Sequence, residues 1–319
     1  FHISIGSAPQ VNSFHKIPLL AALIFAIHPL NTQAVTYISS RSSIMAAIFY
    51  LLAIILFIKG LNKTYEEGIK PDYFFIAGAV ILFAIGFLCK LIVISLPAIV
   101  FAYHYYFIST QNFKTWLAPQ WKWILAVGGL LASTLVFKKI YGSGLLKTSI
   151  VDISVWDYFR TQTGIIPFEY FRKMMFPFNL TIDSGFQVIH NWSSFTAISG
   201  AIILGTIFTV WIKLSEVKKQ SKKYSLEAFG LIWILITLSP TSSFIPLLDL
   251  VAEHRTYLPL VGFSILSATL LIRLQVVIRQ SIKDNKPSLC NNEKVLWGSS
   301  AFILLLLVFF LVGTIERNK

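Results

Sequence analysis

Charge is what this sequence has least of. Only 13% of its 319 residues are Asp, Glu, Lys or Arg, against about a quarter in a typical soluble domain. That leaves too little polar surface to cover a water-soluble globule of this size. Cysteine is scarce as well: Cys89 closes an apolar run and Cys290 sits far along the chain in a polar loop. Two thiols so placed provide neither a disulfide framework nor a metal-ligand spacing, and no metal site is expected. Internal repeats and low-complexity tracts are absent. The first stretch, FHISIGSAPQVNSFHK, lacks the basic-then-apolar order of a signal peptide. The chain opens on Phe1 rather than Met, and the expectation is a piece of a longer protein.

Apolar side chains fill the space that charge leaves. Hydrophobic residues make up 55% and aromatics 15% of the chain. A bilayer solvates such side chains directly, and a span of about 20 apolar residues crosses it. Helices are the form expected, because they satisfy their own backbone hydrogen bonds where lipid cannot. About nine apolar runs can be read, at roughly 17–30, 43–59, 73–89, 91–108, 122–138, 194–213, 226–243, 256–273 and 295–313. The fold class is therefore an all-α polytopic integral membrane protein, with residues 1–319 as one transmembrane domain. The net charge of +13 does not point to nucleic acid. Its Lys and Arg lie in short loops between apolar runs, as topology determinants and headgroup contacts do.

Two loops are plainly basic, KLSEVKKQSKK at 213–223 and the segment 273–294. The positive-inside rule assigns both to the cytoplasm. Counting outward, 59–72 and 109–121 are also inside, as is the N-terminus of this chain. Segments 31–42, 139–193 and 243–255, the turn at Lys90 and the C-terminal GTIERNK fall outside, on the periplasmic or lumenal face. The Lys138–Lys139 pair sits awkwardly at an outer helix end. Segment 139–193 carries YFRTQTGIIPFEYFRKMMFPFNL, whose Arg160, Glu169, Arg172 and Lys173 suit an amphipathic helix on the outer membrane surface better than a span. A tenth span there is the alternative.

This topology collects the unusual polar residues on one face. His28, Gln33 and Arg41 come from the first outer segment, Lys90 from its turn, Asp183 and His190 from the long segment, and Asp249, Glu253, His254 and Arg255 from the last outer loop. Each has a plain structural reading: a snorkelling Lys90, a helix end at His28, a cap at Asp249, a local Glu253–Arg255 pair. As a set they suit a pocket for a lipid phosphate or pyrophosphate, with Arg and Lys on phosphate oxygens and a carboxylate as general base.

Three stretches carry a resemblance. HPLNTQAVTYISSRSSIMAAIFYLLAIILFIKG, PFEYFRKMMFPFNLTID and PTSSFIPLLDLVAEHRTYLPLVGFSIL resemble the family of transmembrane-and-tetratricopeptide-repeat O-mannosyltransferases and their bacterial relatives, the EHRTYLP segment most specifically. The resemblance implies a GT-C glycosyltransferase fold and a sugar, mannose-like, moved from a polyprenyl-phosphate carrier to a protein or glycan acceptor on the outer face. It implies no cofactor beyond that lipid-linked donor, with a divalent metal left open, and contacts with membrane lipid. It also implies that a first helix, its outer loop and C-terminal repeats lie beyond this chain. His28, Arg41, Lys90, Asp183, His254 and Arg255 are the expected substrate-binding residues, and Glu253 and Asp249 the acids to test. Two departures stand out. The GT-C acid usually lies in the first outer loop, whereas 31–42 holds no Asp or Glu, and Leu91 replaces the Glu that commonly follows the family's Lys. A non-catalytic membrane anchor and a lipid-linked-substrate transporter are the competing readings. The absence of charge between Met45 and Ile58 and between Ala126 and Phe137 argues against a polar translocation path.

Overall fold

A computed structural model describes residues 14–67, 71–109, 113–120, 128, 153–181, 185–221, 224–244, 246–247, 249–285 and 293–318. Among them there is helix and no strand. The helices used below are α1 (Ile17–Ile27), α2 (Asn31–Thr36), α3 (Arg41–Glu67), α4 (Tyr73–Cys89), α5 (Leu96–Tyr103), α6 (Phe113–Leu117), α7 (Val155–Ile165), α8 (Arg172–Met175), α9 (Phe195–Ser221), α10 (Ser225–Leu238), α11 (Pro259–Asn285) and α12 (Glu293–Arg317). Among the described residues, five stretches are long and apolar enough to cross a membrane: Ile38–Leu61, Leu91–Ile108, Phe195–Glu216, Pro259–Ile278 and Ser300–Arg317. Ile17–Ile27, Tyr73–Cys89 and Ser225–Leu238 are shorter apolar helices. Eight of the nine expected runs are thus helical. The ninth, 122–138, lies outside the described residues apart from Gly128, and so do Asp183 and Cys290. The chain is an all-α integral membrane protein.

Local chemistry sets several helix ends. His28 precedes Pro29, whose ring disfavours the helical region for its neighbour. Its φ of −73° and ψ of 128° end α1 there. Pro18 and Pro97 stand at first-turn positions of α1 and α5, where a missing N–H costs nothing. Asp72 caps α4 by accepting from Phe74 N at 3.1 Å. Ser154 caps α7 in the same way, accepting from Asp157 N at 3.0 Å. After α7 the chain keeps winding through Ile166–Phe171 as a π-helix before α8. Pro167 lacks the N–H that α-helical pairing would use there.

The outer surface reads as lipid-facing. Phe74, Leu88 and Phe195 are 81%, 82% and 84% exposed, an arrangement that would be costly in water and is neutral among acyl chains. Inside, α3 packs along α4, α10 along α11, and α1 along α11. One buried cluster joins Tyr50, Val93, Ile99 and Trp233. A second joins Leu30, Tyr170, Met174, Leu238 and Leu260 and forms the floor beneath the polar residues discussed below. A third seats α12 against α1 and α11 through Ile24, Ile272 and Phe310.

Helices α10 and α11 touch backbone to backbone at two glycines. A Cβ on Gly262 would lie 2.6 Å from Trp233 Cδ1 and 2.8 Å from the Gly230 carbonyl oxygen. Small residues at such crossings are what membrane helices use to approach closely. Gly262→Val is therefore expected to lower stability by about 1–3 kcal/mol through overpacking. A melt of purified protein in detergent measures it, with Gly205→Ala, where a Cβ meets nothing within 4 Å, as the neutral comparison.

Candidate functional site

The ends of α1, α4 and α12, the start of α3 and the loop before α11 meet on one side of the bundle, and the loop 249–256 is clamped where they meet. Gln162 Nε2 of α7 donates to the Leu250 carbonyl at 3.1 Å. Gln33 Oε1 of α2 accepts from His254 N at 2.7 Å. Glu253, only 1% exposed, is the central fixture. Its Oε1 accepts from Lys173 Nζ at 2.9 Å and from Thr181 N at 3.0 Å. Its Oε2 is paired with Arg317 at the end of α12. Lys173 also contacts Glu169 at 2.8 Å, one helical turn back across the π segment. Arg317 in addition donates to the Pro29 carbonyl at 3.0 Å.

Beside this charge-paired network lies a group of basic side chains with no carboxylate among the described residues. Arg255 is 4% exposed, and its guanidinium folds back on two backbone carbonyls, of Asp249 at 2.6 Å and of Leu250 at 3.3 Å. Lys90 is half-buried in its extended turn and donates to Ser43 Oγ on α3. Burial, with Arg255 nearby as the second cause, pushes the Lys90 ammonium down to about 8. Burial, then Lys90 and Arg255 in turn, pushes the His254 imidazole down to about 4. Lys90 thus feels the charge of Arg255, and His254 that of both. Among the described residues no carboxylate is paired with any of them. The buried Nδ1 of His254 has no hydrogen-bond partner among the described residues, whereas buried polar atoms are normally satisfied. Tyr158 of α7 borders the cluster, its hydroxyl donating to the Thr241 carbonyl at 2.8 Å.

The structure thus brings together Lys90, His254 and Arg255 of the sequence-expected set. Asp249 sits on the same loop with its side chain exposed, and its carbonyl holds Arg255. Glu253 is on the loop too, with both oxygens engaged. His28 is fully buried and also fully engaged. Its Nδ1 accepts from Leu30 N at 3.2 Å, so the proton is on Nε2, which donates to the Met174 carbonyl at 2.9 Å. It packs on Phe310 with ring centroids 4.6 Å apart, joining α1 to α8 and α12. Arg41 is exposed in the first turn of α3, two residues before Ser43. Asp183 lies outside the described residues. Among those described, no group of His, Cys, Asp and Glu could hold a metal ion.

Sequence reading passed over Lys173, Arg317 and Ser43 as site residues. The Glu169–Lys173 spacing of one helical turn was the available signal for the first. Nothing local pointed to Glu253, which is 80 positions from Lys173 and 64 from Arg317.

No protein-family model matches the chain, and no solved structure matches it. Curated relatives do. The human protein O-mannosyl-transferase TMTC4 is 33% identical over 75 residues, which is 24% of this chain and 10% of that protein. The mouse TMTC4 is 30% identical over 86 residues, 27% of this chain and 12% of that protein. The human TMTC3 is 36% identical over 80 residues, 24% of this chain and 8% of that protein. The match therefore covers about a tenth of the length of these relatives. Over these stretches the chain is similar to the protein O-mannosyl-transferases TMTC3 and TMTC4.

Proposed function

We propose that this chain is membrane machinery of a glycosyltransferase that takes a mannose-like sugar from a polyprenyl-phosphate carrier and gives it to a protein or glycan hydroxyl on the outer face. The observation that carries this reading is the cluster of Lys90, His254 and Arg255 with no carboxylate to balance it. Glu253 is the nearest buried acid in sequence, and Lys173 and Arg317 already occupy it. An anion is what the cluster lacks, and its place at the end of an apolar bundle favours an anion delivered by a lipid. The likeness to protein O-mannosyl-transferases supports the transfer chemistry. Orientation follows from the basic loops at the opposite ends of the helices.

In this reading Lys90 and Arg255 hold the carrier phosphate, and His254 Nδ1 completes its coordination. As the bond from sugar to phosphate breaks, negative charge grows on the phosphate oxygens, and preorganised cations lower the barrier. Asp249, exposed on the same loop, is the general base toward the acceptor hydroxyl. Glu253 fixes the loop, His28 ties α1 to its neighbours, and Arg41 is a rim contact. Leu91 follows Lys90 where the family commonly has Glu, and that favours the non-catalytic anchor as the second reading. Transfer of radiolabelled sugar from polyprenyl-phosphate donors in membranes separates the two. Asp249→Asn is expected to retain donor binding and lose about 10²-fold or more in transfer. Donor binding with no transfer by the wild type would favour the anchor.

The cluster also sets a pH dependence. Lys90 is cationic below about 8 in the free protein, and a phosphate ligand favours the charged form. Donor affinity should therefore be greatest below that pH and fall as the pH rises through it. Lys90→Arg keeps its charge throughout, so its affinity profile should be flat between pH 7 and 9, as read by equilibrium binding in nanodiscs.

A further inference from the structure

We propose that Lys173 and Arg317 are positioning residues: acting through Glu253, they set the His254–Arg255 turn, and the seating of α12 thereby governs the donor site. The inference rests on the reading of that site given above.

Helix α12 is anchored unevenly. Only 6% of its apolar span Ser300–Arg317 is buried, and the body of the helix is held by apolar packing, through Phe310 on Ile24 and Ile272. Its polar contacts with the bundle, among the described residues, gather at its last turn. Gly313 lies close against Pro29, where an added Cβ would come within 3.1 Å of the ring. Thr314 Oγ1 donates to the Ile27 carbonyl at 2.7 Å, and Arg317 reaches both the Pro29 carbonyl and Glu253 Oε2. The helix is thus tied by hydrogen bonds and an ion pair at the end that touches the site loop.

Glu253 is well placed to pass that fastening on. Residues Glu253–Thr256 form a single 3₁₀ turn, closed by Thr256 Oγ1 on the Glu253 carbonyl at 2.6 Å. His254 and Arg255 occupy the middle of the turn, so a displacement of Glu253 moves both. Three donors hold the Glu253 carboxylate from three directions: Lys173 from α8, Thr181 from the segment after it, and Arg317 from α12. Two of the three are cations. They hold the turn in place, and they also keep Glu253 from swinging to neutralise Arg255. Remove Arg317, and Oε2 loses its partner while the last turn of α12 loses its tie to the loop.

The test uses the whole protein in nanodiscs and two independent readouts. Hydrogen exchange of the 249–256 amides reports the turn, and equilibrium binding of radiolabelled polyprenyl phosphate reports the site. Arg317→Met should speed exchange in 249–256 while leaving the α3 and α4 amides unchanged, and should weaken binding by roughly 10-fold or more. Arg317→Lys should restore both. Lys173→Met should act in the same direction and provides the second variant should Arg317→Met fail to fold. Unchanged exchange in a folded Arg317→Met or Lys173→Met protein overturns the positioning role, as does faster exchange with unaltered binding. Arg255→Ala, run alongside, reports on the donor site itself. If wild type and Arg255→Ala bind the phosphate equally, the donor reading falls, and the exchange data still decide whether the turn is held by α12.

Discussion

Glu253→Ala should be the most damaging single substitution in the loop 249–256, costing about 3–5 kcal/mol of stability. The reason is what it leaves behind. Lys173 is 1% exposed and would keep only Glu169, while Arg317 would keep only a backbone carbonyl. One buried and one half-buried cation would then lack the carboxylate that pairs them. Breaking one member of a buried ion network costs more than the network contributes, because the orphaned charges pay the full desolvation penalty. Glu253→Gln keeps the shape and one acceptor oxygen, and should fall between wild type and Glu253→Ala. Thermal melts of the three proteins in one detergent, followed by loss of monodisperse protein, measure the order. Equal melts for all three would contradict the burial and pairing on which the site rests.

Arg255→Ala should act in the opposite way, on binding rather than on stability. Its guanidinium has two backbone carbonyls for partners and a like-charged neighbour in Lys90, so its removal relieves repulsion as well as losing hydrogen bonds. Donor affinity should fall by about 10²-fold or more, the order seen when a preorganised charge or donor is removed from an anion site. Lys90 should then recover an ordinary ammonium pKa in part, because one of the two causes that depress it is gone. His254 should follow for the same reason. NMR titration of labelled His254 in wild type and Arg255→Ala checks this directly: the imidazole should titrate higher in the variant, still short of a free histidine.

Helix content was legible wherever apolar length alone decided it. The runs at 43–59, 91–108 and 194–213 could not be covered in water at this charge content, and each is a long helix. The break at His28–Pro29 and the turn at Lys90 were legible too, from proline sterics and from a lone charge between two apolar runs. Gathering Lys90, His254 and Arg255 at one end followed from counting helices. The partners of Glu253 did not follow, because each comes from another part of the chain. Lys173 stands in FRKMM among charges that suit headgroups, yet the π segment before it and the packing of Tyr170 and Met174 turn its ammonium inward. Arg317 stands in a short polar ending whose neighbours say nothing of Pro29 or Glu253. Side chains that meet through tertiary packing leave no mark in local periodicity, and both cations belong to that class.

The most direct measurement compares wild-type protein in nanodiscs for binding of a polyprenyl phosphate and of the corresponding neutral polyprenol. The account predicts saturable binding of the phosphate that depends on Arg255 and weakens above about pH 8, with the polyprenol bound far less tightly. Equal affinity for the two lipids, unaffected by Arg255→Ala, would contradict it, because the cationic cluster would then have no part in recognising the carrier.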